Sequence, residues 1–191
     1  MQPICQYLAD TLKSLRTERG WSLDRAAKET GVSKAMLGQI ERGESSPTIA
    51  RLWKIADGFG VSLSMFIEPP LKNQAVEIRQ VDSLRKQPAT DPMLVAPLFP
   101  FDPQFGFEMF ELTLLPGYER YSDPHQPGVT EHVVVIEGTL ELFLDGEWIS
   151  LIKGEAVRYD ADRPHGYRNL LDAPAVFHNL IHYPAGNGSP A

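Results

Sequence analysis

The sequence holds one cysteine, Cys5, among 191 residues. A single thiol excludes an internal disulfide and a cysteine-based zinc finger. No apolar run approaches the ~20 residues needed to span a bilayer. Residues 1–9 lack a basic start followed by an apolar core, so they do not read as a signal peptide. No internal repeat or low-complexity tract is present. These absences point to a cytoplasmic protein with no membrane partner. Cationic residues are also scarce: 18 Lys/Arg face 25 Asp/Glu, for a net charge of -7 and a pI near 5.2. Nucleic-acid binders usually carry a basic footprint, so the total charge argues against one. What is present is a globular composition, 42% hydrophobic and 23% charged.

The charge is not evenly spread. Residues 1–70 hold nine Lys/Arg and eight Asp/Glu, a net of +1. The remainder holds nine and 17, a net of -8. Seven of the sixteen prolines lie from Pro69 to Pro103, and proline cannot donate to a helix or a central-strand ladder. The expected organisation is a helical domain over 1–68, a Pro-rich connector over 69–104, a strand-rich domain over 105–184 and a tail over 185–191. Within the connector, 75–81 and 93–99 have the texture of short edge strands.

Gly20, Gly31, Gly43 and Gly60 each follow a stretch of helical periodicity, where a left-handed glycine ends a helix cheaply. Helices are expected over 5–19, 23–30, 34–42, 47–59 and 62–67. Ser22 and Ser33 are N-cap candidates, and Ser46-Pro47 resembles a cap before a proline. Each helix is too short to stand alone, so the apolar stripes must share a core. Gly31-Val32-Ser33 forms the tight turn of a helix-turn-helix.

The residues sharpen this reading. Leu15-Arg16, Arg19-Gly20, Ser22-Leu23, Ala27, Gly31-Val32-Ser33, Ile40-Glu41-Arg42-Gly43 and Ser46-Pro47-Thr48 make residues 8–67 resemble the XRE (lambda-repressor-like) DNA-binding family. The resemblance implies a five-helix bundle whose recognition helix enters the major groove. It places Lys34, Ala35 and Gln39 at base edges, and Ser33, Arg42, Ser45 and Ser46 at phosphates. It makes Arg16–Glu41 a structural ion pair. It further implies a homodimer on a double-stranded operator with half-sites about one helical turn apart.

From residue 107 onward the texture is short strands, expected over 107–115, 131–136, 139–144, 148–151, 156–159 and 176–181. Asp145-Gly146 between alternating runs signals a hairpin. Here the chain resembles the cupin superfamily, a double-sheet jelly roll. His125, Glu131 and Gly138 fall on its first motif, and Gly154, His165 and Asn169 on its second. Pro127 stands where the second ligand histidine belongs. The resemblance implies a divalent metal held by His125, Glu131 and His165, with zinc ahead of iron. The alternative is a pocket for a small organic effector alone. Tyr121, Arg158, Tyr159 and His178 are expected near the mouth, where an amino acid or small carboxylate would fit. His132 neighbours Glu131 in a strand and faces the other way.

Two functions then compete. One is a transcriptional regulator whose barrel senses a small effector. The other is an epoxidase- or dioxygenase-like metalloenzyme, because some iron enzymes share this layout. Those enzymes place a ligand histidine four residues before the glutamate, at the position of Pro127, which favours the non-enzymatic regulator.

Overall fold

The structure is a computed structural model and describes residues 3–69, 78–87, 89 and 91–184. The first half is a bundle of α1 (Pro3–Glu18), α2 (Leu23–Thr30), α3 (Lys34–Glu41), α4 (Ile49–Phe59) and α5 (Ser64–Ile67). Its punctuation follows from local chemistry. Ser22 Oγ accepts the Arg25 amide and Ser33 Oγ accepts the Met36 amide, capping α2 and α3. Gly31 and Gly60 end α2 and α4 at φ +65° and +59°. The Ser46 cap is corrected. Thr48 caps α4 with its side chain, while the Ile49 amide is taken by Asp91 from the second half, at 2.9 Å. A tertiary carboxylate thus decides where this helix begins.

Of the connector strand expected over 75–81, residues 75–77 lie outside the described residues. Residues 78–80 are not strand, and a short helix α6 (Val81–Leu84) follows. Met93–Asp102 is a ten-residue strand, β1, at the edge of a sheet. It is joined by β2 (Phe107–Leu114), β3 (Tyr118–Ser122), β4 (Thr130–Glu137), β5 (Thr139–Leu144), β6 (Glu147–Ile152), β7 (Ala156–Asp160), β8 (His165–Asn169) and β9 (Ala175–His182). These form two antiparallel sheets, ordered β1-β2-β9-β4-β7 and β3-β8-β5-β6. Asp145 and Gly146 both have positive φ, as a tight β5–β6 hairpin requires. β3 and β8 lacked a strand signal, because Tyr-Glu-Arg-Tyr-Ser and His-Gly-Tyr-Arg-Asn are polar. Tertiary pairing makes them strands. At Gly166 a Cβ would lie 2.5 Å from the Arg120 carbonyl oxygen, so this pairing needs glycine.

The halves are bolted together. One continuous cluster of buried apolar side chains runs from Leu8 and Leu12 through Trp53, Phe59 and Phe66 to Phe110, Phe177 and Ile181. Trp53 meets Phe110 at 6.3 Å between ring centroids, and the Arg120 guanidinium lies 4.8 Å over Trp53. Glu108, fully buried on β2, accepts the Leu63 and Ser64 amides at the start of α5, at 3.2 and 2.9 Å.

Candidate functional site

Two regions carry chemistry. The first is α3. Its inner face buries Leu37 and Ile40, and its end is tied to α1 by the two-pronged Arg16–Glu41 pair at 2.6 and 2.9 Å. Its outer face exposes Ser33, Lys34, Ala35 and Gln39. Lys34 Nζ rests on Asp24 at 2.8 Å, with both side chains exposed. Arg42 makes a similar exposed pair with Glu44. Both pairs lie in solvent and are screened by it, so neither locks its side chain in place. Ser45 and Ser46 are half-buried, and Ser45 Oγ lies 3.6 Å from Met36 Sδ.

The second region is inside the barrel. Alternation along β4 turns Glu131, Val133 and Val135 inward, leaving Glu131 1% exposed. β8 sends in His165 and Tyr167, and β9 sends in Asn179. His125 arrives from the β3–β4 loop, held by its amide on the Ala161 carbonyl. His125 Nε2 lies 3.0 Å from Glu131 Oε1, and His165 Nε2 lies 3.5 Å from the same oxygen. The other carboxylate oxygen, Oε2, accepts from Tyr159 Oη at 2.7 Å, Tyr167 Oη at 2.5 Å and Asn179 Nδ2 at 2.9 Å. Three donors therefore orient the carboxylate so that Oε1 meets both imidazoles.

Both rings are fixed from behind. A carbonyl or carboxylate oxygen can only accept from them. His165 Nδ1–H donates to the Arg163 carbonyl at 2.9 Å, and His125 Nδ1–H donates to Asp57 on α4 at 3.1 Å. Burial pulls the His125 pKa down. Hydrogen bonds to Asp57 and Glu131, with their charges, outweigh it and push the value up to about 10. Burial also opposes the charge on Glu131, but the two histidines hold its pKa well below the usual carboxylate range. Burial and the Glu131 charge keep Tyr159 and Tyr167 protonated, as donors.

The donor set fits a divalent ion. Two imidazole nitrogens and a carboxylate oxygen lie within 4.8 Å of one another, all buried. Separations of 3.0 and 3.5 Å suit atoms sharing an ion at ~2.0–2.2 Å. The rear hydrogen bonds are those that orient ligand histidines. His125 stands six residues before Glu131 on the β3–β4 loop, so the loop and not strand alternation places it.

Three expected pocket residues are corrected. Tyr121 is 57% exposed on the outer face of β3, edge-on to Phe143 and Trp148. Arg158 is exposed on β7. His178 lies on the outer face of β9, 3.5 Å from Glu111. β9 carries apolar residues on both faces, so its sequence does not fix which face is inward. Tyr159 does enter the site. Sequence reasoning missed Asp57, Tyr167 and Asn179. Asn179 left a trace, as the polar residue alternating with Phe177 and Ile181; Asp57 left none.

Comparison with known proteins agrees with this two-part fold. The helix-turn-helix family profile matches residues 12–66 and the cupin domain profile matches residues 110–182. The HTH-type transcriptional regulator SutR of Escherichia coli (strain K12) is 52% identical over 184 residues, covering 96% of this chain and 99% of that protein. PuuR, an HTH-type transcriptional regulator of the same organism, is 27% identical over 83% of this chain and 85% of its own length. The crystal structure of an HTH_3 family transcriptional regulator from Vibrio cholerae superposes with a TM-score of 0.80 at 46% identity, covering 95% of this chain and 97% of the other. The chain belongs to the family of helix-turn-helix transcriptional regulators that carry a C-terminal cupin domain.

Proposed function

We propose that the protein binds a specific DNA operator as a homodimer in the cytoplasm and that occupancy of its barrel site sets its operator affinity. The observation carrying this reading is the outer face of α3, where Lys34, Ala35 and Gln39 stand exposed on a helix locked from behind. Lys34 reads guanine O6/N7, Gln39 pairs with adenine, and Ala35 offers a methyl to thymine. Ser33, Arg42, Ser45 and Ser46 contact phosphates. The acidic surplus of the second half keeps that half off the duplex.

In the barrel, His125, Glu131 and His165 would hold a divalent ion, zinc before iron, with Pro127 standing where the cupin motif has a further ligand histidine. An ion there would supply an electrophilic anchor for an amino acid or small carboxylate. Tyr159, Tyr167 and Asn179 keep the Glu131 carboxylate turned toward the histidines. The effector shifts DNA affinity only through its differential affinity for two arrangements of the chain; a coupling of ~1–3 kcal/mol gives ~5–150-fold. An iron-dependent oxygenase is the second reading, favoured by the two-histidine, one-carboxylate cluster. Oxygen uptake by iron-loaded protein distinguishes it.

The test is selection of duplexes from a random-sequence library. The enriched sites should show two-fold symmetry with half-sites ~34–36 Å apart. Lys34→Ala and Gln39→Ala should each weaken binding by ~1–3 kcal/mol without lowering the thermal midpoint. Failure to enrich any sequence, or indifference to both substitutions, refutes the reading.

A further inference from the structure

His125 differs from its partner ligand in what stands behind it. The Nδ1 of His165 is held by the Arg163 carbonyl, two residues earlier in the loop that leads into β8. The Nδ1 of His125 is held by Asp57, from the last turn of α4 in the DNA-binding half. A carboxylate behind a ligand histidine fixes its ring and raises its basicity, and its loss typically costs 10–100-fold in metal affinity. Here that carboxylate is supplied from across the junction between the two halves.

The residue after Asp57 extends the connection. At Gly58 a Cβ would lie 2.6 Å from Thr30 Cα and 2.7 Å from the Glu29 carbonyl oxygen. The backbone of α4 therefore rests closely on the end of α2, against the Thr30 backbone and its side-chain methyl. Thr30 leads into the turn Gly31-Val32-Ser33, and that turn sets the start of α3. A cleft of about 340 Å³ opens beside this contact, lined in part by Thr30, Gly31, Lys54, Asp57, Gly58 and His125. Solvent and small solutes can thus reach the Asp57–His125 pair from outside the barrel. One helical turn earlier, Lys54 pairs with Asp123 of the same β3–β4 loop at 2.9 Å. Both those side chains are at least half exposed, so this pair adds little.

We infer that Asp57 is a positioning residue of the barrel site: it holds His125 for metal ligation and makes occupancy of that site and the placement of α4, α2 and the helix-turn-helix turn interdependent. The inference rests on the metal reading of the site given above. By linkage, an ion that binds more tightly when Asp57 is in place favours the α4 position that brings it there, and operator DNA acts on the ion in return.

The experiment uses Zn²⁺ alone as the probe, with full-length protein and a selected duplex. Zinc affinity is measured by competition with a chromogenic chelator. Duplex affinity is measured by fluorescence anisotropy, without zinc and at saturating zinc. Wild type should bind zinc and change its duplex affinity ~5–150-fold on saturation. Asp57→Ala should raise the zinc dissociation constant ~10–100-fold and bring the duplex ratio at saturation to near one. The Asp57 side chain is 37% exposed, so this variant should fold. Lys54→Ala, which removes the exposed Lys54–Asp123 contact across the same junction, should match wild type in both measurements.

The inference is overturned if Asp57→Ala keeps zinc affinity within ~3-fold of wild type, or keeps the wild-type duplex ratio. It is overturned equally if Lys54→Ala loses as much, since the effect is then general loosening. If wild type binds zinc but its duplex affinity is unmoved, the interdependence fails and the metal site stands. If wild type binds no zinc, the metal reading itself fails, before any variant is measured.

Discussion

Glu108→Ala tests whether the barrel holds the DNA-binding half in place. The carboxylate is wholly buried. It accepts Leu63 N–H at 3.2 Å and Tyr183 O–H at 2.7 Å through one oxygen, and Ser64 N–H at 2.9 Å through the other. Alanine leaves two backbone amides without an acceptor in a site closed to water. Each such orphan costs ~1–3 kcal/mol. Removing a buried carboxylate, whose ionisation burial opposes, returns part of this. The net loss should be about 2–4 kcal/mol. Glutamine keeps the shape but has one oxygen, so it serves one amide and sets its NH2 against the other. Its cost should be about 1–3 kcal/mol, below that of alanine. Burial raises the Glu108 pKa above the ordinary carboxylate value. Stability from such a group is fully present below its unfolded pKa and is lost as pH rises through the folded one. The gap between wild type and Glu108→Gln should therefore narrow as pH rises from acid to neutral. The assay is guanidinium unfolding followed by tryptophan fluorescence, with Trp21 and Trp53 in the first half and Trp148 in the second. An alanine variant within 1 kcal/mol of wild type, a glutamine variant as costly as alanine, or a gap that widens with pH refutes the reasoning.

Two further outcomes follow from the junction and the site. In metal-free protein the His125 pKa stands near 10 against an ordinary 6.5, so its contribution is complete below about 6.5 and lost as pH rises through about 10. Wild-type stability in chelator should fall between pH 7 and 10, and His125→Gln should flatten that fall; equal slopes would show that the imidazolium is not held as described. Gly58→Ala sets helix propensity, which favours alanine by ~1 kcal/mol, against a Cβ placed 2.6 Å from Thr30 Cα. The contact is backbone and cannot yield cheaply, so the variant should be less stable by ~1–3 kcal/mol; a raised melting temperature would refute direct seating of α4 on α2.

The helical half was legible because its signals are local. Serine caps, left-handed glycines and apolar stripes act within a few residues, so α2 was read to the residue and α3 nearly so. The start of α4 was misread by two residues, because the Ile49 amide is satisfied by Asp91, 42 positions away. The hairpin at Asp145-Gly146 was legible for the same local reason, and β3 and β8 were not, since their pairing supplies what their polar sequences lack.

The sequence by itself determined a near-neutral helical half with a helix-turn-helix and an acidic, strand-rich half with His125, Glu131 and His165 on cupin spacing. Spacing along a motif constrains which strand positions turn inward, and periodicity does the same for helices. Only the tertiary structure decided which face of β9 turns inward, how Tyr159, Tyr167 and Asn179 grip Glu131, and that Asp57 of α4 stands behind His125. Those contacts join residues up to 68 positions apart. Distance between such residues is set by packing of the two halves on one shared core, and no local pattern of side chains encodes it.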